Sequence, residues 1–244
     1  MDMGNPLTDG TCESGRLEAL LRRRHSCRAF LDRPVPREKI TRILELAQLT
    51  ASWCNAQPWQ VHIVSGVALD AYREALLRRS SVAPVRPDLD FPREYPGVYS
   101  ERRRDCAWRL YESVGITRGD RAASTQQGRE NFRMFGAPHL AIVTSPAAMG
   151  VYGAIDCGAY VSNFMLAAES MGIACIAQAA QASYPDIARR HFEIAGSRTI
   201  VCGIAFGYED SSHPANRFRT TRAPLSESVA WIDASLQSEF RWGR

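Results

Sequence analysis

The stretch Thr50–Val64, TASWCNAQPWQVHIV, decides how the rest of the chain is read. Its first half offers an indole, a thiol and two amides in Trp53, Cys54, Asn55 and Gln57, groups that hydrogen-bond or stack on a flat polar ring. Its second half runs through Pro58 into a strand. A polar loop tied to a strand is held still, and binding loops are presented on rigid scaffolds in this way.

Upstream, the segment after DRPVP reads as a helix with Pro36 at its first turn and Ile40, Ile43, Leu44 and Ala47 as its buried stripe. Before it, Ser14 is expected to cap a helix GRLEALLRRRH, whose Leu17, Leu20 and Leu21 fall at i, i+3 and i+4, and RHSCRAF ends it. Downstream, WQVHIVSG reads as a strand and VALDAYREALLRRS as a helix. Prolines and charges from Val82 to Gly97 exclude regular structure, so this is a long connection or a lid. SERRRDCAWRLYESVGI and QQGRENFRMFG read as helices, and PHLAIVTS as a covered central strand. Tyr152–Gly172 is the longest helix candidate, apolar nearly all round and so expected to be buried. A strand IACIAQA, a helix PDIARRHFEIAG and a strand RTIVCGIAFG complete the core, and the remainder from Tyr208 suits an arm reaching across a partner. No repeat or clean linker divides the chain. The reading is α+β, a sheet wrapped by helices, with a flexible leader over 1–15 and one domain over 16–244.

Composition narrows the function. The 244 residues, 45% hydrophobic and 23% charged, are ample for a core, and a net charge of +4 is too mild to argue for nucleic acid. The arginines are dispersed, without the interleaved aromatics of a nucleic-acid groove. No apolar run approaches a membrane span and no signal peptide is evident, so no membrane partner and a cytoplasmic protein are expected. The seven cysteines are odd in number and never spaced C-x-x-C, and the five histidines show no H-x-x-x-H or H-E-x-x-H pairing, so neither a disulfide frame nor a protein metal site is expected. Lys39 is the only lysine and lies on the outer face of its predicted helix, which argues against a Schiff base or a Walker A loop. A nucleotide-like ligand would have to be held by arginines.

Four segments in order, RRHSCRAF (Arg23–Phe30), TASWCNAQPWQVHIV (Thr50–Val64), AIDCGAYVSNFMLAAESMGIACIAQAA (Ala154–Ala180) and GYEDSSHPANRFRTTRAPLSE (Gly207–Glu227), resemble the FMN-dependent nitroreductase family. The resemblance covers about Leu17 to Ile232. It implies a mixed sheet wrapped by helices, a homodimer with a domain-exchanged C-terminal arm, FMN as cofactor, and NAD(P)H as electron donor, NADPH slightly favoured. It places Arg24, His25, Ser26 and Arg28 on the flavin phosphate and pyrimidine edge, and guanidinium forks do match phosphate oxygens. Arg222, with Arg219 or Arg217, resembles the arginine closing over that phosphate. Ser52, Trp53, Asn55 and Gln57 would come from the other subunit to cover the ribityl and dimethylbenzene side. Many relatives carry a small residue where Trp53 stands, and either a substrate-stacking ring or a subunit anchor suits it.

The backbone around Ala177, Gln178 and Ala179 would donate N–H groups to the reactive flavin nitrogen, small side chains allowing close approach. The insertion over about 84–135 looks like the subgroup acting on nitroaromatic or nitrobenzoate-like compounds, a helical lid in which Tyr99, Arg103 and Trp108 join Trp53 at the substrate pocket. No catalytic side chain is implied, since the flavin carries the chemistry. Reductive dehalogenation, flavin destruction and non-catalytic flavin binding remain open on the same scaffold.

Overall fold

The computed structural model describes residues 12–232. β1 (Gln60–Ser65), β2 (His139–Pro146), β3 (Ala174–Gln178) and β4 (Arg198–Gly207) form one sheet in the order β1-β2-β4-β3, every neighbour antiparallel. The mixed sheet expected from the resemblance is therefore antiparallel in its four strands, and parallel pairing is confined to a bridge between Ser26 and Cys175 at the β3 edge.

Alternation along β2 separates two cores. Ala141 and Val143 face α2 (Arg37–Ala47) and α6 (Gly150–Ser170), packing with Ile40, Ile43, Tyr160, Phe164 and Phe206. Leu140 and Ile142 face α3 (Gly66–Val82) and α7 (Pro185–Phe192), packing with Leu69, Tyr72, Leu76 and Ile187. With both faces covered, β2 is buried over its first seven residues, as its unbroken apolar run predicts. His139 at its start is buried too: the Val35 N–H donates to its Nε2 (2.8 Å), so Nδ1 carries the hydrogen shared with Ser65 Oγ (2.5 Å). Burial lowers the pKa of this imidazole, in keeping with a neutral ring.

Several expectations shift in detail. α1 (Glu13–Arg23) starts before Ser14; its cap is Cys12, in extended conformation, whose Sγ accepts the Gly15 N–H at 3.3 Å. Lys39 is half-buried rather than outward, donating to the Met171 carbonyl at 3.2 Å. α6 is not buried all round, because the sheet covers one side of a helix only. Its outer face exposes Val151, Tyr152 and Ile155 at 64%, 53% and 58%. The last predicted helix before β2 stops earlier, α5 running Arg121–Arg129, since Met134 and Phe135 enter the core through a turn with positive φ.

Between Val82 and Arg133 no residue is buried, so α4 (Val98–Ser113) and α5 add nothing to this chain's core. The connection before α4 is strapped down by Asp88, which accepts from Arg189 Nη2 (2.7 Å) and from the Ile200 N–H (2.8 Å), beside a register slip between β2 and β4. The C-terminal arm lies on its own chain as far as Glu227, held by Arg102 at 2.6 Å, and then exposes Trp231 and Ile232. Any exchange of the chain end lies outside the described residues.

Candidate functional site

After α1 the chain runs extended beside β3, the Cys27 N–H donating to the Cys175 carbonyl at 3.1 Å. Its other edge is zipped to the segment following β4: Leu31 N–H donates to the Tyr208 carbonyl (2.9 Å) and Asp210 N–H to the Ala29 carbonyl (3.0 Å). Two stretches almost two hundred residues apart thus lie side by side. Between them opens a cavity of about 820 Å³, lined by Arg24, His25, Ser26 and Arg28 from the first stretch and by Phe218, Arg219 and Arg222 from the second. α1 contributes Glu18 and Arg22, and α4 contributes Cys106.

The charge balance of this cavity is one-sided. Glu18, the single carboxylate of its lining, is already paired with Arg22 at 2.6 Å. Arg24, Arg28, Arg219 and Arg222 have no carboxylate partner among the described residues. Arg28 Nη1 instead donates to the Ser26 carbonyl (3.2 Å), and its guanidinium lies 5.4 Å from the centre of the Phe218 ring. Burial pushes the Arg28 pKa down, an electrostatic cost that a bound anion would offset. Arg219 Nη1 donates to the Asn216 carbonyl (2.6 Å), and Arg222 Nη1 to Thr220 Oγ1 (3.0 Å). His25 is gripped by the scaffold, Nε2 on Glu209 (3.1 Å) and Nδ1 on the Arg23 carbonyl (3.2 Å). Arg217 turns to the Ser212 carbonyl and does not line the cavity.

The loop Ser52–Gln57 lies elsewhere and touches none of this. Cys54, Asn55 and Gln57 all have positive φ, an unusual density for residues other than glycine. Two tethers hold them. The Trp53 N–H is shared between the carboxyl oxygens of Asp156 at 3.2 and 3.3 Å, and Ser52 Oγ accepts the Gln57 N–H at 2.9 Å. Trp53 is half exposed and meets Tyr152 of α6 edge-on, ring centres 4.2 Å apart, so the loop continues the outer face of α6.

Ala177, Gln178 and Ala179 end β3. Ala177 and Ala179 are exposed, whereas Gln178 is buried and its amide nitrogen donates to the Asn131 carbonyl (3.0 Å), so its side chain serves the scaffold. Opposite Gln178 stands Gly203, where a Cβ would come within 2.5 Å of the Gln181 side chain, so glycine is what lets the turn after β3 settle on β4. Of the lid residues, Arg103 covers Tyr95, Tyr99 is exposed, and Trp108 lines a separate hollow of about 650 Å³ with Arg118 over its ring. The single chain brings none of them to Trp53.

Besides the cavity-lining Glu18, Arg22, Cys106 and Phe218, two residues that anchor the site segments are absent from the sequence-based expectations. Asn216, within HPANR, and Asp156, within the Ala-rich helix, are both buried and both anchor a site segment. Nothing in composition or spacing distinguishes them from solvated polar residues. Among the described residues no group of His, Cys, Asp and Glu is placed to hold a metal ion, and no helix is long and apolar enough to cross a membrane.

Residues 21–208 match the model of the nitroreductase family. Nitroreductase NfnB of Mycolicibacterium smegmatis is 38% identical over 215 residues, covering 87% of this chain and 91% of that protein. A 4-nitrobenzoate reductase of Nocardioides sp. strain LMS-CY is 33% identical over 220 residues, covering 88% and 89%. The crystal structure of the FMN-dependent nitroreductase NfnB from Mycobacterium smegmatis in complex with NADPH superposes with a TM-score of 0.86 at 35% identity, over 90% of this chain and 99% of that one. By sequence and by fold, this chain belongs to the nitroreductase family.

Proposed function

We propose that the protein is an FMN-dependent NAD(P)H oxidoreductase that reduces nitroaromatic compounds and works as a homodimer in the cytoplasm. The observation that carries this reading is the cavity where Arg24, Arg28, Arg219 and Arg222 converge without a carboxylate to neutralise them. Such a cradle suits a phosphate monoester, a dianion with three acceptor oxygens. When bound, FMN supplies the redox chemistry, exchanging hydride with NAD(P)H and then with the nitroaromatic in a ping-pong order. The chain's own part is to hold the phosphate with these arginines and Ser26, and to exclude water from the ring.

The remaining elements acquire roles in a dimer. The exposed apolar face of α6, with Val151, Tyr152 and Ile155, offers a surface for a second copy. Across it, Ser52, Trp53, Asn55 and Gln57 would reach the partner's flavin, and the backbone at Ala177–Ala179 would face the flavin ring of its own chain. The insertion over about 84–135, without a buried residue from Val82 to Arg133, would find its cover as a lid over the partner's site, with Tyr99, Arg103 and Trp108 toward substrate. The solved relative carrying NADPH favours that donor, and the relative named 4-nitrobenzoate reductase favours an electron-poor aromatic acid.

The test is direct. Purified protein should be yellow, bleach anaerobically with NADPH and regain its colour with 4-nitrobenzoate, at one FMN per chain. Protein that holds no flavin, or stays reduced in the presence of nitroaromatics, overturns the assignment.

A further inference from the structure

Asn216 is a buried carboxamide whose oxygen and both N–H groups are engaged, in three of the four hydrogen bonds it can make. Its Oδ1 accepts the Arg28 N–H at 2.7 Å, and its Nδ2 donates to the Ala29 and Asp210 carbonyls, each at 2.9 Å. An amide offers an acceptor oxygen with two lone pairs and two N–H donors, and the partners here fix which end is which. Its own backbone carbonyl accepts Arg219 Nη1 at 2.6 Å. Only 3% of Asn216 is exposed, and it does not line the cavity. A single side chain therefore joins the two segments that carry the cavity's arginines. Backbone pairing of Leu31 with Tyr208 and of Asp210 with Ala29, together with His25 on Glu209, registers the two segments as far as Asp210, and Asn216 carries that register on to the arm: Arg28 has no ionic partner among the described residues, and Arg219 and Arg222 donate only within their own stretch, to residues 216–221.

We infer that Asn216 is a positioning residue for the anion cradle: by clamping the Arg28 backbone to the arm that bears Arg219 and Arg222, it sets the spacing at which the guanidiniums meet the terminal phosphate of the flavin. The inference rests on the proposed reading of the cavity as the FMN phosphate site. The reason that one amide matters is geometric. Bidentate contacts between guanidinium and phosphate are sensitive to ångström-scale displacement, and long exposed side chains on an unclamped arm lose conformational freedom on binding that a clamped arm has already lost. Aspartate cannot replace it, since the carboxylate oxygen standing where Nδ2 does would face the Ala29 and Asp210 carbonyls.

The distinguishing measurement compares FMN with riboflavin, which shares every feature except the phosphate. Full-length protein, wild type, Asn216→Ala and Arg28→Ala, is loaded with either flavin, and its release on dilution is followed by flavin fluorescence. Asn216→Ala is expected to weaken FMN about tenfold or more while leaving riboflavin within about twofold, so that the preference for the phosphorylated cofactor collapses, and Arg28→Ala should do the same. Equal weakening of both flavins by Asn216→Ala shows a merely structural residue and overturns the inference. So does an unchanged preference in Asn216→Ala when Arg28→Ala abolishes it. If Arg28→Ala also leaves the preference intact, the phosphate site itself lies elsewhere and both readings fall. Should Asn216→Ala not accumulate as folded protein, Asn216→Ser, whose hydroxyl is too short to span the three partners, carries the same comparison.

Discussion

Arg28 and Trp53 show how differently two residues of the proposed dimeric site are held. Arg28 is half-buried and unpaired by any acid, so its contact with a phosphate is little screened, whereas Arg222 is exposed and its charge is diluted by solvent and salt. Arg28→Ala is therefore expected to cost about 1.5–3 kcal/mol of FMN binding, roughly ten- to hundredfold, with Arg222→Ala at or below the lower end. Flavin titration of the two variants checks both the size and the order, and neither change should unfold the protein. Trp53, by contrast, rests on Tyr152 with about half its surface free. Trp53→Ser is expected to raise the relative kcat/KM of bulky nitroaromatics over small flat ones by about 1–2 kcal/mol at most, with dimer dissociation unchanged. A weakened dimer and an unchanged size preference would assign the ring to subunit contact.

Among the elements, the loop after α2 depends most on a distant one. Three residues with positive φ cost roughly 1 kcal/mol each, and the loop keeps its shape because Asp156, buried in α6, takes the Trp53 N–H. Asp156→Ala should therefore lower stability by about 1–3 kcal/mol, read as a shift in the urea midpoint. It should also slow turnover through misplacement of Asn55 and Gln57; full activity would refute the tether. The join of β1 and β2 at His139 predicts a pH dependence. The folded pKa of this histidine lies below its unfolded value near 6.5, so the unfolded chain binds more protons in that range. The stability it confers is complete above about pH 6.5 and is lost as pH falls through the lower folded value. His62, also lowered by burial and by Arg198, acts in the same sense. The His139→Gln variant should be less stable at neutral pH and lose less of its urea midpoint between about pH 7 and 5.

At this scale the sequence was largely readable. PHLAIVTS announced a doubly covered strand, and the helix punctuation located α2, α3, α6 and α7. What it hid were long-range hydrogen bonds. That Cys12 caps α1, that Gln178 serves Asn131, and that Asn216 bridges two remote stretches depend on neighbours far away in the chain, which local periodicity does not encode. The arginines that line the cavity are marked in the sequence by ordered motifs and not by spacing.

For the whole molecule, the decisive fact is a helix that is apolar on both sides and covered on one. A second copy laid on Val151, Tyr152 and Ile155 would complete the burial that the composition of α6 leads one to expect. Ile155→Asp is predicted to convert the dimer to a monomer at micromolar concentration and to release FMN with it, since Ser52–Gln57 would no longer reach a partner's cofactor. Sedimentation finding an intact holo-dimer would remove α6 from the interface. The juxtaposition of Arg24–Arg28 with Arg219–Arg222 also bears on biosynthesis. The ribosome delivers the first stretch early and the second after the whole sheet, so the sheet can assemble before its cofactor has anywhere to bind. FMN is in this sense a late guest: a chain stalled between the end of β4 and Arg219 would carry the whole sheet and half a cradle.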